Sequence, residues 1–243
     1  VAVCVPPSRE FVAGAFALFR AGAMPVLIDP GIGWRRLGRC LSEAAVDVFV
    51  GSPKAHLARL LGRWAPLSRM SVVCGRPSLG LGTLPQLRAL GRSRDLGLPS
   101  FSAADRAAIL FTSGSTGAPK GVVYRHGMFA FQLEQLRSLF DVKEGDVALA
   151  TFPLFALFDA ALGQTVVLPE MDFTRPGSVD PMAIIAPLQT YGVKQLFGSP
   201  ALLERVGRFG ERHGVFLPSL ERVMSAGAPV PARTLERFAK LLR

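Results

Sequence analysis

The segment Thr112–Gly121 concentrates chemical groups that bind phosphate. Its ten residues include four side-chain hydroxyls, three glycines, one proline and one lysine, and they follow the apolar run Ala107–Phe111. Glycines let backbone N–H groups approach an anion, hydroxyls add hydrogen-bond donors, and lysine supplies a mobile positive charge. The composition therefore predicts a phosphate-binding loop after a buried strand. An ordinary solvent-exposed connection with the same composition remains the alternative interpretation.

Two widespread nucleotide-binding patterns do not describe this segment. The pattern G-x-x-x-x-G-K-(S/T) fails because Lys120 follows Pro119 and precedes Gly121. The glycines of the dinucleotide pattern G-x-G-x-x-G are also absent from it. If the segment binds phosphate, it must do so in a different way from either pattern.

Short apolar runs alternate with longer amphipathic segments along the chain, and this order indicates the elements that hold the loop. Val1–Val5 is typical of a buried strand, and Ser8 is placed to cap the helix that follows. The alternation predicts an α/β fold of layered sheets with helices on both faces. We expect two α/β subdomains, residues 1–104 and residues 105–243. The first ends in a linker rich in Gly, Pro and Ser from Gly75 to Ala104, and the second carries the phosphate loop.

The overall composition excludes several classes of protein. The chain has 243 residues, of which 49% are hydrophobic and 19% charged, as in a globular protein. The formal charge is +10, but the basic residues are scattered and none lies in an aromatic-rich RNA-binding motif, so we expect no nucleic-acid partner. The longest apolar runs are too short to span a bilayer. We expect neither a transmembrane segment nor a signal peptide.

The cysteines and histidines indicate neither a disulfide framework nor a metal site. The chain has three cysteines, Cys4, Cys40 and Cys74, and no two of them form a C-x-x-C pair. An odd number of unpaired cysteines favours a reducing, cytoplasmic compartment. The three histidines are isolated from one another, and we expect His56 and His213 to lie on the surface.

Thr112–Gly121 matches, at every position, the phosphate-loop signature (S/T)-S-G-(S/T)-T-G-x-P-K-G of the adenylate-forming enzymes. The chain thus resembles a superfamily of acyl-CoA synthetases, luciferases and peptide-synthetase adenylation domains, and specifically part of its large N-terminal domain. The resemblance implies that ATP and Mg²⁺ are used and that the loop wraps the β- and γ-phosphates. The ATP-binding residues that it implies in the loop are Thr112, Ser113, Gly114, Ser115, Thr116, Gly117 and Lys120.

Two further segments resemble the superfamily in the same order. Leu18–Pro30 resembles an upstream structural motif, and Met224–Val230 resembles the segment that lies against adenine. From this likeness, Ala226 is a candidate contact of the acid substrate. The implied adenine contacts are Gly227, Ala228 and Pro229. Without the family, this segment is an ordinary turn.

Thr151–Asp159 stands where the superfamily has its aromatic substrate motif. Many acyl-CoA synthetases have a histidine where this chain has Ala156, which weakens a simple acyl-CoA synthetase assignment. The substrate-binding residues implied here are Phe155, Phe158 and Asp159, with a pocket wall of Gly198, Ser199 and Pro200. Core packing is the alternative for the two phenylalanines. For Asp159 the alternatives are orienting a substrate hydroxyl or, as we expect, capping a helix that follows it.

One branch of the superfamily is especially similar, the β-lactone synthetases of bacterial long-chain olefin biosynthesis. The similarity includes Phe152–Gly163, Pro169–Pro176 and Gln195–Leu203. It implies that ATP activates a 2-alkyl-3-hydroxy fatty acid, whose own hydroxyl closes a β-lactone in an intramolecular attack of high effective molarity. The alternatives are a long-chain fatty acyl-CoA or acyl-AMP ligase and, in another class, a non-catalytic nucleotide-binding module.

Both ends of the chain suggest a piece of a longer protein. The first residues resemble a buried strand that no polar residues precede. The last residues resemble an amphipathic helix that no glycine or proline ends. The superfamily's main catalytic residues are expected after Arg243, so we expect the fragment alone to be inactive. In the whole protein, association with other enzymes of the same pathway is a possible arrangement. His126, just after the loop, is expected to give structural support rather than act as a general base.

Overall fold

A computed structural model describes residues 1–75, 82–92, 97–112 and 119–242. The chain divides into two compact units, Val1–Phe131 and Gln132–Arg243. Each unit contains one β-sheet with α-helices in the connections between its strands. This arrangement confirms the predicted α/β class.

The first unit is built on a sheet of seven described strands, in the order β5-β4-β3-β1-β2-β6-β7. All neighbouring strands are parallel except β6 and β7, which form an antiparallel pair. The elements are β1 Ala2–Cys4, α1 Arg9–Arg20, β2 Val26–Ile28, α2 Trp34–Glu43, β3 Val48–Gly51, α3 Pro53–Gly62, β4 Met70–Val73, β5 Gly82–Thr83, α4 Leu84–Arg92, β6 Arg106–Thr112, β7 Lys120–Arg125 and α5 His126–Phe140, which continues past the unit boundary.

The second unit is built on four described strands in the order β11-β10-β8-β9, all parallel. Its elements after α5 are β8 Val147–Ala150, α6 Pro153–Ala161, β9 Thr165–Val167, α7 Pro181–Thr190, β10 Gln195–Phe197, α8 Pro200–His213, β11 Arg222–Met224 and α9 Ala232–Ala239. Leucine, isoleucine and valine side chains from the helices and strands form its core.

The strand order places helices on both faces of each sheet. In the first sheet β1 connects to β2 in one direction, whereas β3 connects to β4 in the other. Because crossovers between parallel strands are right-handed, α1 and α3 must cover opposite faces. The same reasoning separates α6 from α8 in the second unit, where β8 connects to β9 and β10 connects to β11 in opposite directions.

Local signals explain where several helices begin. Ser8 Oγ accepts a hydrogen bond from the Phe11 N–H at 3.2 Å and caps α1, as the sequence predicted. Ser52 caps α3 in the same way, with Pro53 in the first turn. These caps satisfy backbone N–H groups that have no partner within the helix.

The boundary between the two units differs from the one expected at residue 104. β6 pairs in parallel with β2, with Ile109 opposite Val26 and Phe111 opposite Ile28, so this strand and its partner β7 complete the first sheet. The segment expected to be a linker, Gly75–Ala104, contains β5 and α4 among its described residues. Strand pairing over long sequence separations, which local patterns do not encode, is the reason for the difference.

The prediction that His56 lies on the surface was wrong. Its side chain is buried beneath α3, where Nε2 lies 2.9 Å from the Val72 carbonyl oxygen and the ring packs edge-on against Phe49. A buried imidazole with a backbone partner is a structural residue of the core. His213, by contrast, is exposed at the end of α8, as predicted.

No helix formed by the described residues is both long enough and apolar enough to cross a membrane.

Trp64 packs between two glycines and provides a test of the first unit's core. A Cβ atom added at Gly38 would lie 2.4 Å from the Trp64 ring, and one added at Gly62 would lie 2.3 Å from it. We expect Gly38→Ala to lower the free energy of unfolding by about 1–3 kcal/mol, because the buried indole must move. Gly14→Ala is the control, since α1 leaves open space around Gly14.

The control substitution should raise stability by up to about 1 kcal/mol through helix propensity. Thermal unfolding of the full-length protein would compare the two variants. A melting temperature for Gly38→Ala equal to or above that of Gly14→Ala would contradict this packing.

Candidate functional site

The antiparallel pair β6–β7 holds the two ends of the predicted phosphate loop. Thr112 is the last residue of β6 and lies opposite Lys120, the first residue of β7. Ser113, Gly114, Ser115, Thr116 and Gly117 lie outside the described residues, as does the side chain of Thr112. Facing residues of an antiparallel pair have Cα atoms about 5 Å apart. The loop is therefore closed at its base by two paired strands, and exposed Lys120 stands at one of its ends.

Gly121 allows the two strands to meet tightly just below this loop. It lies opposite Phe111, and a Cβ atom added at Gly121 would lie 3.0 Å from the Phe111 ring and 3.3 Å from Ile109. The glycine after the lysine thus accommodates a large core residue in the neighbouring strand. This packing fixes the strand that presents Lys120.

His126 packs against aromatic rings at the start of α5. Its ring stacks on Phe101, with centroids 5.1 Å apart and planes 19° apart, and approaches Phe19 edge-on at 6.4 Å. The His126 backbone N–H donates to the Asp105 carbonyl oxygen at 3.0 Å. These contacts favour the predicted structural role for this histidine within the first unit.

In the second unit, three parallel strands end side by side. Phe197 of β10 lies opposite both Ala150 of β8 and Met224 of β11, and these are the last residues of their strands. The Thr151 hydroxyl donates to the Phe197 carbonyl oxygen at 2.7 Å, and the Gly198 N–H donates to the Met224 carbonyl oxygen at 3.0 Å. The three connecting segments therefore leave the sheet from one edge.

The strand order also makes this edge a switch point. β8 and β10 are neighbours, yet the chain leaves β8 toward β9 on one side and leaves β10 toward β11 on the other. In open parallel α/β sheets, ligands bind outside the carboxyl ends of the strands at such a point. We call this the carboxyl edge of the second sheet.

Four aromatic rings gather around the carboxyl edge. Phe152 precedes α6, and Phe155 and Phe158 follow at the three-residue spacing that places them along one side of the helix. Phe155 stacks on Phe197 with ring centroids 3.6 Å apart, and it lies 6.1 Å from Phe158. The three rings on or beside α6 are half-buried. Partial burial fits both core packing and an apolar wall, so the substrate-binding role of Phe155 and Phe158 stays a prediction.

The predicted wall segment begins α8. Ser199 Oγ accepts from the Leu202 N–H at 3.4 Å and caps the helix, and Pro200 occupies its first turn. A Cβ atom added at Gly198 would lie 3.0 Å and 3.1 Å from the side chains of Leu202 and Leu203. A small residue at position 198 thus fits between the strand end and the helix.

The segment after β11 is held at both of its ends. Ala226–Pro229 is exposed, and Gly227 has a φ of +94° with open space around its Cα, a conformation that favours glycine. The segment leads into α9, where Arg237 Nη1 binds both carboxylate oxygens of Glu204 at 2.8 Å. Hydrogen bonds from Thr234, Arg208 and Arg237 lower the pKa of Glu204 to about 2. The ion pair ties α9 to α8 and so limits the movement of Ala226–Pro229.

Two polar residues at the carboxyl edge were missed in the sequence analysis. Thr151 is buried directly after β8, and Ser225 Oγ is buried directly after β11 with no hydrogen-bond partner among the described residues. Each is the first residue after a parallel strand. That position, combined with a hydroxyl side chain, is the signal that could have identified them.

Asp159 does not cap a helix. It is an interior residue of α6, because the helix begins at Pro153, ahead of the predicted position. The side chain is 2% exposed, and Oδ1 accepts from Gln195 Nε2 at 2.9 Å. Gln195 is the first residue of β10, whereas Gly198 follows the last. Asp159 is therefore placed toward the amino end of the strand, away from the predicted pocket wall.

Burial changes the acidity of Asp159. Loss of hydration raises its pKa to about 7, and the hydrogen bond from Gln195 opposes only part of that rise. Asp159 Oδ2 and Gln195 Oε1 have no hydrogen-bond partner among the described residues, and neither has Gln164 Nε2. The carboxyl group belongs to a buried, incompletely paired polar cluster in which its neutral form is favoured.

The described residues contain no group of three or more histidine, cysteine, aspartate or glutamate side chains placed to hold a metal ion. Magnesium is therefore assigned to no side chain in this part of the chain.

Comparison with known sequences gives one family and several relatives. The family of AMP-binding enzymes matches residues 1–243. The chain is 51% identical over 242 residues to the olefin beta-lactone synthetase of Stenotrophomonas maltophilia (strain K279a), covering 99% of this chain and 43% of that protein. The olefin beta-lactone synthetase of Xanthomonas campestris pv. campestris is 50% identical, with the same two coverages. The chain thus spans less than half the length of these curated relatives.

Solved structures show the same fold. The amide bond synthetase McbA from Marinactinospora thermotolerans matches all of this chain and 48% of its own, with a TM-score of 0.80 and 22% identity. The N-terminal domain of FACL13 from Mycobacterium tuberculosis matches 99% of this chain and 59% of its own, with a TM-score of 0.78 and 20% identity. At these identities the likeness concerns the fold alone.

Proposed function

Since the chain belongs to the family of AMP-binding enzymes, we propose that its parent protein activates a carboxylic acid with ATP. A carboxylate oxygen of the acid attacks the α-phosphorus, the bond from that phosphorus to the bridging oxygen breaks, and pyrophosphate leaves. The product is an acyl-AMP. The observation that carries the proposal is the complete signature Thr112–Gly121, placed between two paired strands.

The proposed roles of the loop follow from charge. Pyrophosphate gains negative charge as it leaves, and hydroxyl and backbone N–H donors stabilise charge that develops in a transition state. We assign this role to Ser113, Ser115 and Thr116 with the backbone of Gly114 and Gly117. Lys120 contributes a positive charge at the base of the loop. ATP enters as its magnesium complex, which is a substrate here.

Adenine is proposed to lie beside Gly227, Ala228 and Pro229. The support is their exposure, the positive φ of Gly227, and the ion pair that ties α9 to α8. An exposed segment whose ends are fixed can present its backbone to a flat base without reorganising. Ala226, the residue before it, is proposed to contact the acid.

For the acid, we propose a long-chain 2-alkyl-3-hydroxy fatty acid. The 3-hydroxyl oxygen attacks the acyl carbon, the bond from that carbon to the AMP oxygen breaks, and the hydroxyl proton leaves to solvent or to a base. The products are a β-lactone and AMP. Support comes from the olefin beta-lactone synthetase activity for which two relatives, each about half identical to this chain, are named, and from the apolar wall of Phe155 and Phe158. Gly198, Ser199 and Pro200 would form the opposite wall, whereas Asp159 is proposed to support α6.

The test is product analysis with the full-length protein. ATP and a synthetic 2-alkyl-3-hydroxy acid, supplied without coenzyme A, should give lactone, AMP and pyrophosphate in equal amounts, measured by mass spectrometry and a pyrophosphate assay. Turnover that requires coenzyme A and yields a thioester would replace this proposal with an acyl-CoA ligase. Free acyl-AMP as the end product would indicate an acyl-AMP ligase, and nucleotide binding without AMP formation a non-catalytic module.

We further propose that the protein acts in the cytoplasm, since its three cysteines are free thiols. Because a strained lactone is a reactive product, association with the enzyme that consumes it is part of the proposal.

A further inference from the structure

The exposed end of α3 carries a group of large apolar side chains. Leu57, Leu60 and Leu61 have the spacing of one helical face, and Leu67 and Met70 follow in the next turn and at the start of β4. All five side chains are at least 54% exposed, and Leu61 reaches 73%. We call these five residues the α3 leucine surface. Single exposed leucines are ordinary, but five large apolar side chains exposed on one short helix and the segment directly after it indicate an interaction surface.

Hydrogen bonds from Arg59 join α3 to the segment that follows it. Arg59 donates through Nη1 to Ser71 Oγ and through Nη2 to Ser68 Oγ, both at 2.5 Å, and through Nε to the Trp64 carbonyl oxygen at 3.3 Å. Buried Trp64 is in turn packed between Gly38 and Gly62. These contacts hold the end of α3 and the turn after it in place while the leucines are exposed.

The chain segment that contains the α3 leucine surface is strongly basic. From Trp34 to Met70 there are six arginines and one lysine against one glutamate and one aspartate, a net charge of +5, half of the +10 of the chain. Arg63 and Arg69 are exposed and lie between members of this surface in the sequence. Arg35, Arg36 and Arg39 are exposed on α2, the helix that packs beside α3.

Trp34, at the start of α2, adds an exposed aromatic ring beside the α3 leucine surface. Its ring is 48% exposed and packs edge-on against Trp64, with ring centroids 4.4 Å apart. A half-exposed tryptophan beside arginines and leucines has the composition of a membrane-interface segment. Arginine heads bind lipid phosphates, and the aliphatic side chains enter the acyl boundary.

From this combination we propose that the α3 leucine surface docks on an anionic phospholipid bilayer. Charge complementarity favours an anionic bilayer, because an uncharged partner would gain nothing from the net charge of +5 that residues 34–70 carry. A polynucleotide, conversely, would gain nothing from five exposed apolar side chains. The inference goes beyond the proposed function, and its readout does not depend on catalysis.

The test is vesicle co-sedimentation of the full-length protein. Vesicles of 30% phosphatidylglycerol in phosphatidylcholine should bind it, and vesicles of phosphatidylcholine alone should bind it at least tenfold more weakly. Each arginine near an anionic surface contributes roughly a fivefold gain in binding. Raising the salt from 0.1 to 0.5 M should weaken binding further, since the charges are exposed.

Two variants and a matched control separate this surface from the rest of the molecule. Leu61→Glu, and the double variant Arg35→Glu/Arg36→Glu, should each lower vesicle binding about tenfold or more. Leu139→Glu is the control, because Leu139 is 72% exposed on α5, close to the 73% of Leu61. It should bind as the unmodified protein does. Circular dichroism and melting curves must show that every variant is folded, and Leu67→Glu replaces Leu61→Glu if that variant is not.

Several outcomes would overturn the proposal. Unmodified protein that fails to bind phosphatidylglycerol vesicles would show that another part of the chain, or a protein partner, covers the surface. Equal loss of binding in Leu139→Glu would make the effect non-specific. Conversion of a dimer to a monomer by Leu61→Glu, without vesicle binding by either form, would identify a second copy of the chain as the occupant.

Discussion

Asp159→Asn should raise the free energy of unfolding by up to about 4 kcal/mol at pH 8, and by less than half as much at pH 5. The side chain is 2% exposed, and loss of hydration raises its pKa from 3.8 to about 7. Asparagine has the shape of the neutral acid, and its Oδ1 can still accept the hydrogen bond from Gln195. The substitution therefore removes the cost of a buried negative charge and keeps the polar contact.

The sign follows from proton uptake. Because the pKa is higher in the folded state, the native protein binds more protons than the unfolded chain between pH 4 and 7. The contribution of Asp159 to stability is therefore most favourable below about pH 4, falls as the pH rises through this window, and is lost above about pH 7. At about 1.4 kcal/mol for each unit of pKa difference, the penalty reaches about 4 kcal/mol at pH 8.

Melting temperatures of the full-length protein at the two pH values would measure this effect. Asp180→Asn is the control, because Asp180 caps α7 at an exposed position and asparagine caps equally well. Its melting temperature should change by the same small amount at both pH values. A shift for Asp159→Asn that is equal at pH 5 and pH 8 would show that the native carboxyl group is already ionised at pH 5.

Asp159 also shows where sequence reasoning reached its limit. An aspartate after an aromatic run has the appearance of a helix cap, but the run itself forms the helix and turns the aspartate inward. Its partner Gln195 lies 36 residues away, so no local pattern joins the two. His56 was misjudged for the same reason, since its partner is the backbone of a neighbouring strand.

Features that depend on a few consecutive residues were predictable. The serine caps at Ser8 and Ser199 and the alternation of strands and helices follow from local geometry, and the α/β class follows from them. The membership of β6 in the first sheet does not, because that sheet forms through pairing with β2 across a long stretch of chain. The position of the unit boundary depends on this pairing.

The candidate site also has parts that local sequence predicts and parts that depend on strand pairing. Its loop was visible as a run of ten residues, and the segments Gly198–Pro200 and Ala226–Pro229 were selected by resemblance. The common carboxyl edge that joins the latter two is a product of register, with Phe197 opposite both Ala150 and Met224. The position of Thr151 directly after a strand is visible in the sequence, but only the register places its hydroxyl beside the Phe197 carbonyl oxygen. The assignment of residues 105–243 to ATP and acid binding stays a prediction.

Lys120→Ala should lower the rate of acyl-AMP formation by about 100-fold, the usual consequence of removing one group that stabilises charge in a transition state. The lysine begins β7 opposite Thr112, and its strand is fixed by the packing of Gly121 on Phe111. The backbone of Lys120 is therefore fixed at one end of the loop. ATP–pyrophosphate exchange by the full-length protein at saturating acid would measure the rate.

Two controls separate the charge of Lys120 from its position. Lys143→Ala removes an exposed lysine whose partner is Asp141, and it should leave the exchange rate unchanged. Lys120→Arg keeps the charge but replaces a compact ammonium with a planar guanidinium, so it should restore only part of the rate. If Lys120→Ala raises the Michaelis constant for ATP while the maximal rate is preserved, the lysine binds ground-state ATP and does not stabilise departing pyrophosphate. If neither quantity changes, the loop binds its phosphates through hydroxyl and backbone donors alone, and the role proposed for Lys120 is wrong.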